Sequence, residues 1–188
     1  AQIITPQSNS VIKGSVIVKF NAFGSNLQSA TFSIADKVFD VTGKETFTWD
    51  TGQVKDGSYT LTLTAINKAD TTSRSDLPIV VDNTSPYVAI TSPLNGAKIN
   101  GTTVITFIAT DTNLKQATLG IDESVVDVTG RTQYLWNTSS LADGPHTITL
   151  TTSDQAGNTA STTHKAYTYN VQNLVKATQP SAYSQGQY

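Results

Sequence analysis

Two ten-residue stretches, DVTGKETFTW at 40–49 and DVTGRTQYLW at 127–136, decide how this chain folds. Both open on Asp-Val-Thr-Gly and both close on Trp, at a constant offset of 87 residues from Asp40 to Asp127. The same offset places Pro6 on Pro93, Ile12 on Ile99, Gly14 on Gly101, Phe20 on Phe107, Ala30 on Ala117, Ile34 on Ile121 and Leu63 on Leu150. Without a gap, about a third of residues 1–83 recur identically in 88–170, and a fixed offset of this kind marks tandem duplication. The chain therefore reads as two copies of one domain, 1–83 and 88–170, with a short linker at 84–87 and a tail at 171–188.

Each copy consists of short alternating runs bounded by turn residues, the pattern of half-buried strands in an all-β sandwich. SVIVKFNA at 15–22 puts Val16, Val18, Phe20 and Ala22 on one face, with Ile17 and Lys19 on the other. SATFSIA at 29–35 repeats the device with Ala30, Phe32 and Ile34, and YTLTLTA at 59–65 with Tyr59, Leu61, Leu63 and Ala65. The second copy answers with Ile105, Phe107, Ala109, Leu119, Ile121, Ile148 and Leu150 facing inward. Turn chemistry falls between the runs. Asp-x-x-Gly at 40–43 suits a type I turn, Asp56-Gly57 and Asp143-Gly144 separate strands, and Gly157-Asn158 suits a tight hairpin in which both residues take positive φ.

The strings WDTGQVKDGSYTLTLTA at 49–65 and WNTSSLADGPHTITLTTSDQAGNTAS at 136–161 resemble the tandem bacterial Ig-like domains of prokaryotic cell-surface proteins. The resemblance spans both copies. It implies a seven-stranded, two-sheet sandwich in each, and no activity, because such domains serve as stalks, spacers, adhesin repeats and accessory modules. Asp56-Gly-Ser-Tyr59 resembles a tyrosine corner, with Leu61 standing where antibody-type domains carry their second cysteine. His146 takes the place of Tyr59 in the second copy.

Composition narrows the function classes. Of 188 residues only 14% are charged, with a formal net charge of -2, so no basic field exists to hold nucleic acid or an anionic membrane surface. No apolar run approaches the roughly 20 residues of a membrane span. The absence of cysteine removes disulfide frameworks, thiol nucleophiles and cysteine metal sites. Threonine makes up about one residue in six, a residue suited to exposed strand positions. A Thr-rich, charge-poor, cysteine-free chain that begins at Ala1 fits a processed, extracellular or cell-surface protein of a prokaryote.

No catalytic signature is present: there is no nucleophile elbow, P-loop or His-Glu-x-x-His pattern. The two histidines, His146 and His164, read as packed or hydrogen-bonded structural residues. Asp82, Asn83, Asp111 and Asp154 offer hard oxygen ligands near loops, but calcium takes about six to eight oxygens and no dense Asp-x-Asp run exists, so they read as solvated turn residues. The expectation is therefore a non-enzyme with no cofactor and no metal. Asn83, Asn100 and Asn137 begin Asn-x-Ser/Thr sequons, at a number expected by chance in a chain this rich in Ser and Thr.

These features predict a structural subunit of an extracellular filament, pilus-like fibre or surface layer, with copies of itself as the main partner. An adhesin or carbohydrate-binding module, with a glycan or cell-surface ligand, and the accessory domains of a larger secreted enzyme are the alternatives. The short linker, limited by Pro86, predicts restricted bending. The tail, through Val171, Leu174, Val175 and Tyr183, is expected to add a strand to a neighbouring subunit, and head-to-tail docking of domain ends would build the same polymer without it.

Overall fold

The structure, a computed structural model, describes residues 1–24 and 26–170. The tail contacts expected of Val171, Leu174, Val175 and Tyr183 lie outside the described residues. The chain divides into two compact units. Among the described residues, the first comprises those of Ala1–Pro86, Asp111–Lys115 and Ser153–Thr159, and the second those of Tyr87–Thr110, Gln116–Thr152 and 160–170.

The first copy contributes β1 Gln2–Thr5, β2 Val11–Ile12, β3 Ser15–Asn21, β4 Leu27–Ile34, β5 Lys37–Asp40, β6 Thr46–Asp50, β7 Gly57–Asn67 and β8 Thr72–Val81. They form a three-stranded sheet, β1-β3-β6, facing a five-stranded sheet, β2-β8-β7-β4-β5. The second copy repeats the plan with β9 Tyr87–Ser92, β10 Ala97–Ile99, β11 Thr102–Thr110, β12 Leu114–Ile121, β13 Ser124–Asp127, β14 Gln133–Asn137, β15 Gly144–Asp154 and β16 Thr159–Thr168. Its sheets are β14-β11-β9 and β10-β16-β15-β12-β13. Among the described residues each copy thus has eight strands, the seven implied by resemblance with the first of them in two parts. The opening strand is split: β1 runs antiparallel to β3, and after the break at Pro6 the chain crosses to pair β2 parallel with β8. Proline lacks the N–H a continuing ladder needs, so the break falls there and again at Pro93.

The alternation places the core as the sequence predicts. Val18, Phe20, Ala30, Phe32, Leu61 and Leu63 are buried in the first sandwich, with Phe20 edge-on to Phe32 at 4.8 Å between ring centroids. Ile105, Phe107, Leu119, Ile148 and Leu150 are their buried counterparts. Val16, Tyr59, Ala109 and Ile121 are only half-buried; Tyr59, Ala109 and Ile121 pack at the core margin.

Asp-Val-Thr-Gly is more than a turn. The Thr42 N–H donates to Asp40 Oδ1 at 2.9 Å, Val41 is wholly buried, and Thr42 Oγ1 accepts from the Ala30 N–H at 2.9 Å. Gly43 has φ +72, a left-handed conformation open to glycine without steric cost. Asp127, Val128, Thr129 and Gly130 repeat the arrangement onto Ala117. The four residues of the motif therefore act in turn as hydrogen-bond acceptor, core anchor, strand brace and chain reversal. Gly157 also has positive φ, but Asn158 does not; it is buried instead, with its amide engaged by acidic neighbours.

Candidate functional site

The corner positions, Tyr59 and His146, stand near the start of β7 and β15, just after the Asp-Gly turns. Tyr59 Oη donates to the Lys55 carbonyl at 2.8 Å and meets Trp49 edge-on at 6.2 Å, closing the corner as a tyrosine corner does. His146 substitutes for it, edge-on to Trp136 at 5.6 Å. Its Nδ1 lies 2.6 Å from Asp122 Oδ2, and its Nε2 lies 3.1 Å from Thr168 Oγ1 and 3.3 Å from the Ala142 carbonyl. Burial pushes the Asp122 carboxyl upward, but hydrogen bonds from His146 and the Thr147 N–H outweigh it and hold the group below the usual carboxylate range. Carboxylate, imidazole and hydroxyl stand in the order of a nucleophilic triad. Thr168, however, is only 3% exposed and donates its hydroxyl to the Ala142 carbonyl at 2.8 Å. A buried, donating hydroxyl offers no nucleophile to a substrate, and the constellation braces the corner. His164 Nδ1 likewise lies 2.9 Å from the Pro93 carbonyl.

Among the described residues, a group of three acidic side chains gathers in the first unit. Asp82, Asp111 and Asp154 bring carboxylate oxygens within 4.8 Å of one another. Asp82 follows β8, Asp111 follows β11, and Asp154 ends β15. Asp82 is 4% exposed and Asp154 1%. Asn113 Nδ2 donates to Asp82 Oδ2 at 2.7 Å, while its backbone N–H donates to Asp111 Oδ1 at 2.7 Å. Asn158 gives its N–H to Asp154 Oδ1 at 2.8 Å and its amide to Asp154 Oδ2 at 2.7 Å and to the Asp82 carbonyl at 2.9 Å. An open groove of about 480 Å³ lined by Asp56, Asp82, Thr84, Asp111 and Asn113 runs beside the cluster.

Three carboxylates at this separation repel, and amide donors offset part of that cost. The set has the hard-oxygen chemistry that calcium takes, and supplies three carboxylates toward the six to eight oxygens calcium coordinates. Of the four residues weighed in the sequence, the structure gathers Asp82, Asp111 and Asp154 and removes Asn83. Asn83 belongs to a different device. Its Oδ1 accepts from the Gly14 N–H and the Thr51 hydroxyl, both at 2.9 Å, and its Nδ2 donates to the Thr51 carbonyl at 3.2 Å and to Asp56 at 3.3 Å. Asp56 also accepts from the Thr84 hydroxyl at 2.5 Å and the Asn83 N–H at 2.8 Å, which hold its carboxyl below the usual range. Asp-Gly at 56–57 is thus a turn and an anchor for the end of β8. Asn170 repeats this clasp on Gly101, Thr138 and Asp143.

The sequons divide accordingly. Asn83 has its amide nitrogen committed, whereas Asn100 and Asn137 are exposed. Both tryptophans are buried, at 5% exposure, so neither offers a face to a sugar; Tyr87, Tyr167 and Tyr169 are exposed. Among the described residues no helix is long and apolar enough to cross a membrane.

A family model described as bacterial Ig domain matches residues 1–63 and again residues 86–150. Among solved structures, the fibronectin(III)-like modules of CbhA from Clostridium thermocellum match with a TM-score of 0.51 at 17% identity, over 96% of this chain and 98% of theirs. A Ca2+-stabilized adhesin that helps an Antarctic bacterium reach out and bind ice is 23% identical, over 85% of this chain and 46% of its own, with a TM-score of 0.39. The tetra-tandem repeat in the extending region of a large adhesion protein is 17% identical, over 82% of this chain and 45% of its own, with a TM-score of 0.40. No curated protein matches in sequence.

Proposed function

Because the chain belongs to the bacterial Ig-domain family, we propose that it is a non-catalytic structural subunit of an extracellular assembly: a surface filament, a pilus-like fibre or a surface layer. One observation carries this reading. The chain builds the same closed sandwich twice and ties off each with the same asparagine clasp, Asn83 on Gly14 and Thr51, Asn170 on Gly101 and Thr138. A unit whose end is closed in the same way each time is suited to repetition and needs no ligand to complete it. Among the described residues no buried side-chain polar atom lacks a partner, which suits a pair of rigid structural modules. The His146 constellation supports the same view, since its hydroxyl is committed to the backbone.

The partners of such a subunit are copies of itself, and its place is the cell surface. Immunogold labelling of whole cells with antibodies to this chain is expected to decorate fibres or a continuous outer layer. Label confined to freely secreted protein would overturn the assembly reading. A glycan array probed with the purified chain is expected to retain no saccharide, and capture of one defined saccharide at micromolar concentration would put a carbohydrate-binding module or adhesin in its place.

A further inference from the structure

We propose that the cleft at the Phe23 end of the first unit is a socket for a second copy of this chain, entered by Tyr169, so that copies join head to tail. The inference rests on the structural reading above and specifies how that assembly is made. Its starting point is how Asp82 is held. Within the first unit, Asp82 sits against a pair of loops whose Asn113 and Asn158 amides donate to its carboxylate and carbonyl. Those loops are pinned by the Asp154 N–H on the Asn158 carbonyl at 3.1 Å and by the Gln155 N–H on the Asn113 carbonyl at 2.9 Å.

At the repeat offset the first copy builds the same loop pair. Its Asn67 N–H donates to the Thr71 carbonyl at 3.1 Å, and its Lys68 N–H to the Asn26 carbonyl at 2.8 Å. The backbone frame is shared and the lining is not. Asp111 and Asp154 are replaced by Gly24 and Asn67, and the cleft, about 320 Å³, is lined in like measure by apolar groups, among them Phe23 and Leu27, and by polar ones, among them Asn26, Asn67 and Ser73. Phe23 is 57% exposed. This socket holds no carboxylate to repel an incoming group, and it has apolar surface to bury.

The matching plug lies at the end of the second copy. Tyr169 occupies the position of Asp82: its N–H donates to the Ile99 carbonyl at 2.8 Å, as that of Asp82 donates to the Ile12 carbonyl at 2.9 Å. Its side chain is 57% exposed. An acidic plug therefore meets amide donors where the frame is filled, and an aromatic plug with a hydroxyl is available where the frame offers both apolar and polar surface. A tyrosine ring buries roughly 150–250 Å² and keeps a hydroxyl for a polar partner, here the Asn26 amide, which holds the place of Asn113. Because socket and plug are different surfaces of one chain, the contact is heterologous and propagates into rings or open filaments rather than stopping at a dimer. An interface of this size is weak, so association should depend on concentration.

Sedimentation velocity of the full chain from about 1 to 500 μM tests this. The sedimentation coefficient is expected to rise with concentration, and Tyr169→Asp or Phe23→Asp should each abolish the rise. Both side chains are exposed, and unchanged far-ultraviolet circular dichroism would show that the variants fold. The chain has no cysteine, so a second measurement is clean: Phe23→Cys mixed with Tyr169→Cys and oxidised should give mixed disulfide dimers at least tenfold faster than either variant alone. A full chain that stays monomeric throughout, or cross-linking without preference for the mixed pair, overturns the proposal while leaving the structural reading in place. Association that survives Tyr169→Asp but disappears when residues 171–188 are removed overturns it in favour of the tail as connector.

Discussion

Replacing Asn170 by alanine should cost the second sandwich more than Asn83→Ala costs the first, although the two clasps have the same design. Asn170 is 7% exposed, whereas Asn83 is open to water. The Asn170 side chain donates to the Thr138 carbonyl at 2.7 Å and to the Leu141 carbonyl at 3.3 Å, and accepts from the Gly101 N–H at 3.2 Å. The bonds to Thr138 and Gly101 contribute about 1 kcal/mol each, and groups stranded without water add a further penalty, so the loss is about 2–3 kcal/mol. At Asn83 water can replace the lost partners, and the loss is about 1 kcal/mol. For a domain of this size that separates the two variants by roughly 5–15 °C in melting midpoint. Trp136 is the only tryptophan of the second copy, so in a Trp49→Phe background its fluorescence follows that sandwich alone during thermal or urea unfolding. Trp136→Phe isolates the first in the same way. A shift under about 3 °C for Asn170→Ala, or a larger shift for Asn83→Ala, would refute the argument that burial decides the strength of the clasp.

The acid limb of stability has a defined sign. Asp40 and Asp127 are held below their ordinary value of 3.8 by the N–H groups of Thr42 and Thr129, Asp56 by Thr84 and Asn83, Asp76 by Arg74, and Asp122, against the upward push of burial, by His146 and Thr147. A depressed carboxyl stabilises the fold fully above its unfolded value and ceases to as pH falls through its lower folded value. The melting midpoint should therefore be independent of these groups above about pH 5 and drop steeply below about pH 4; a midpoint unchanged down to pH 2 would refute this. His146→Tyr should restore the corner seen at Tyr59 and change stability by less than about 1 kcal/mol, whereas His146→Ala should cost about 2–3 kcal/mol through lost packing on Trp136 and lost hydrogen bonds. Equal losses in urea titrations would show that ring packing is not what the position requires. In a glycosylating host, peptide mass spectrometry of the folded product should find glycan at Asn100 and Asn137 and none at Asn83, whose amide nitrogen is tied to Thr51 and Asp56; glycan at Asn83 in folded protein would show that the clasp is dispensable.

The sequence by itself determined the duplication, the sandwich class and most of the core. Those depend on local rules repeated many times: period-two alternation selects the buried face of each strand, and Asp, Gly and Pro punctuate the chain wherever they stand. It also determined that Asp-Val-Thr-Gly turns the chain, because Asp and Gly have turn preferences regardless of surroundings. Only the tertiary structure decided what the remaining polar residues do. Thr42 bracing Ala30, Asn158 holding the Asp82 carbonyl, and Asn83 closing on Gly14 are pairings between separate segments, and no spacing along the chain encodes them. Asp82, Asp111 and Asp154 read as three separate turn residues because nothing local links the ends of β8, β11 and β15. The triad order of Asp122, His146 and Thr168 is equally illegible along the chain, and so is the burial of its hydroxyl against the Ala142 carbonyl, since both depend on which strands meet.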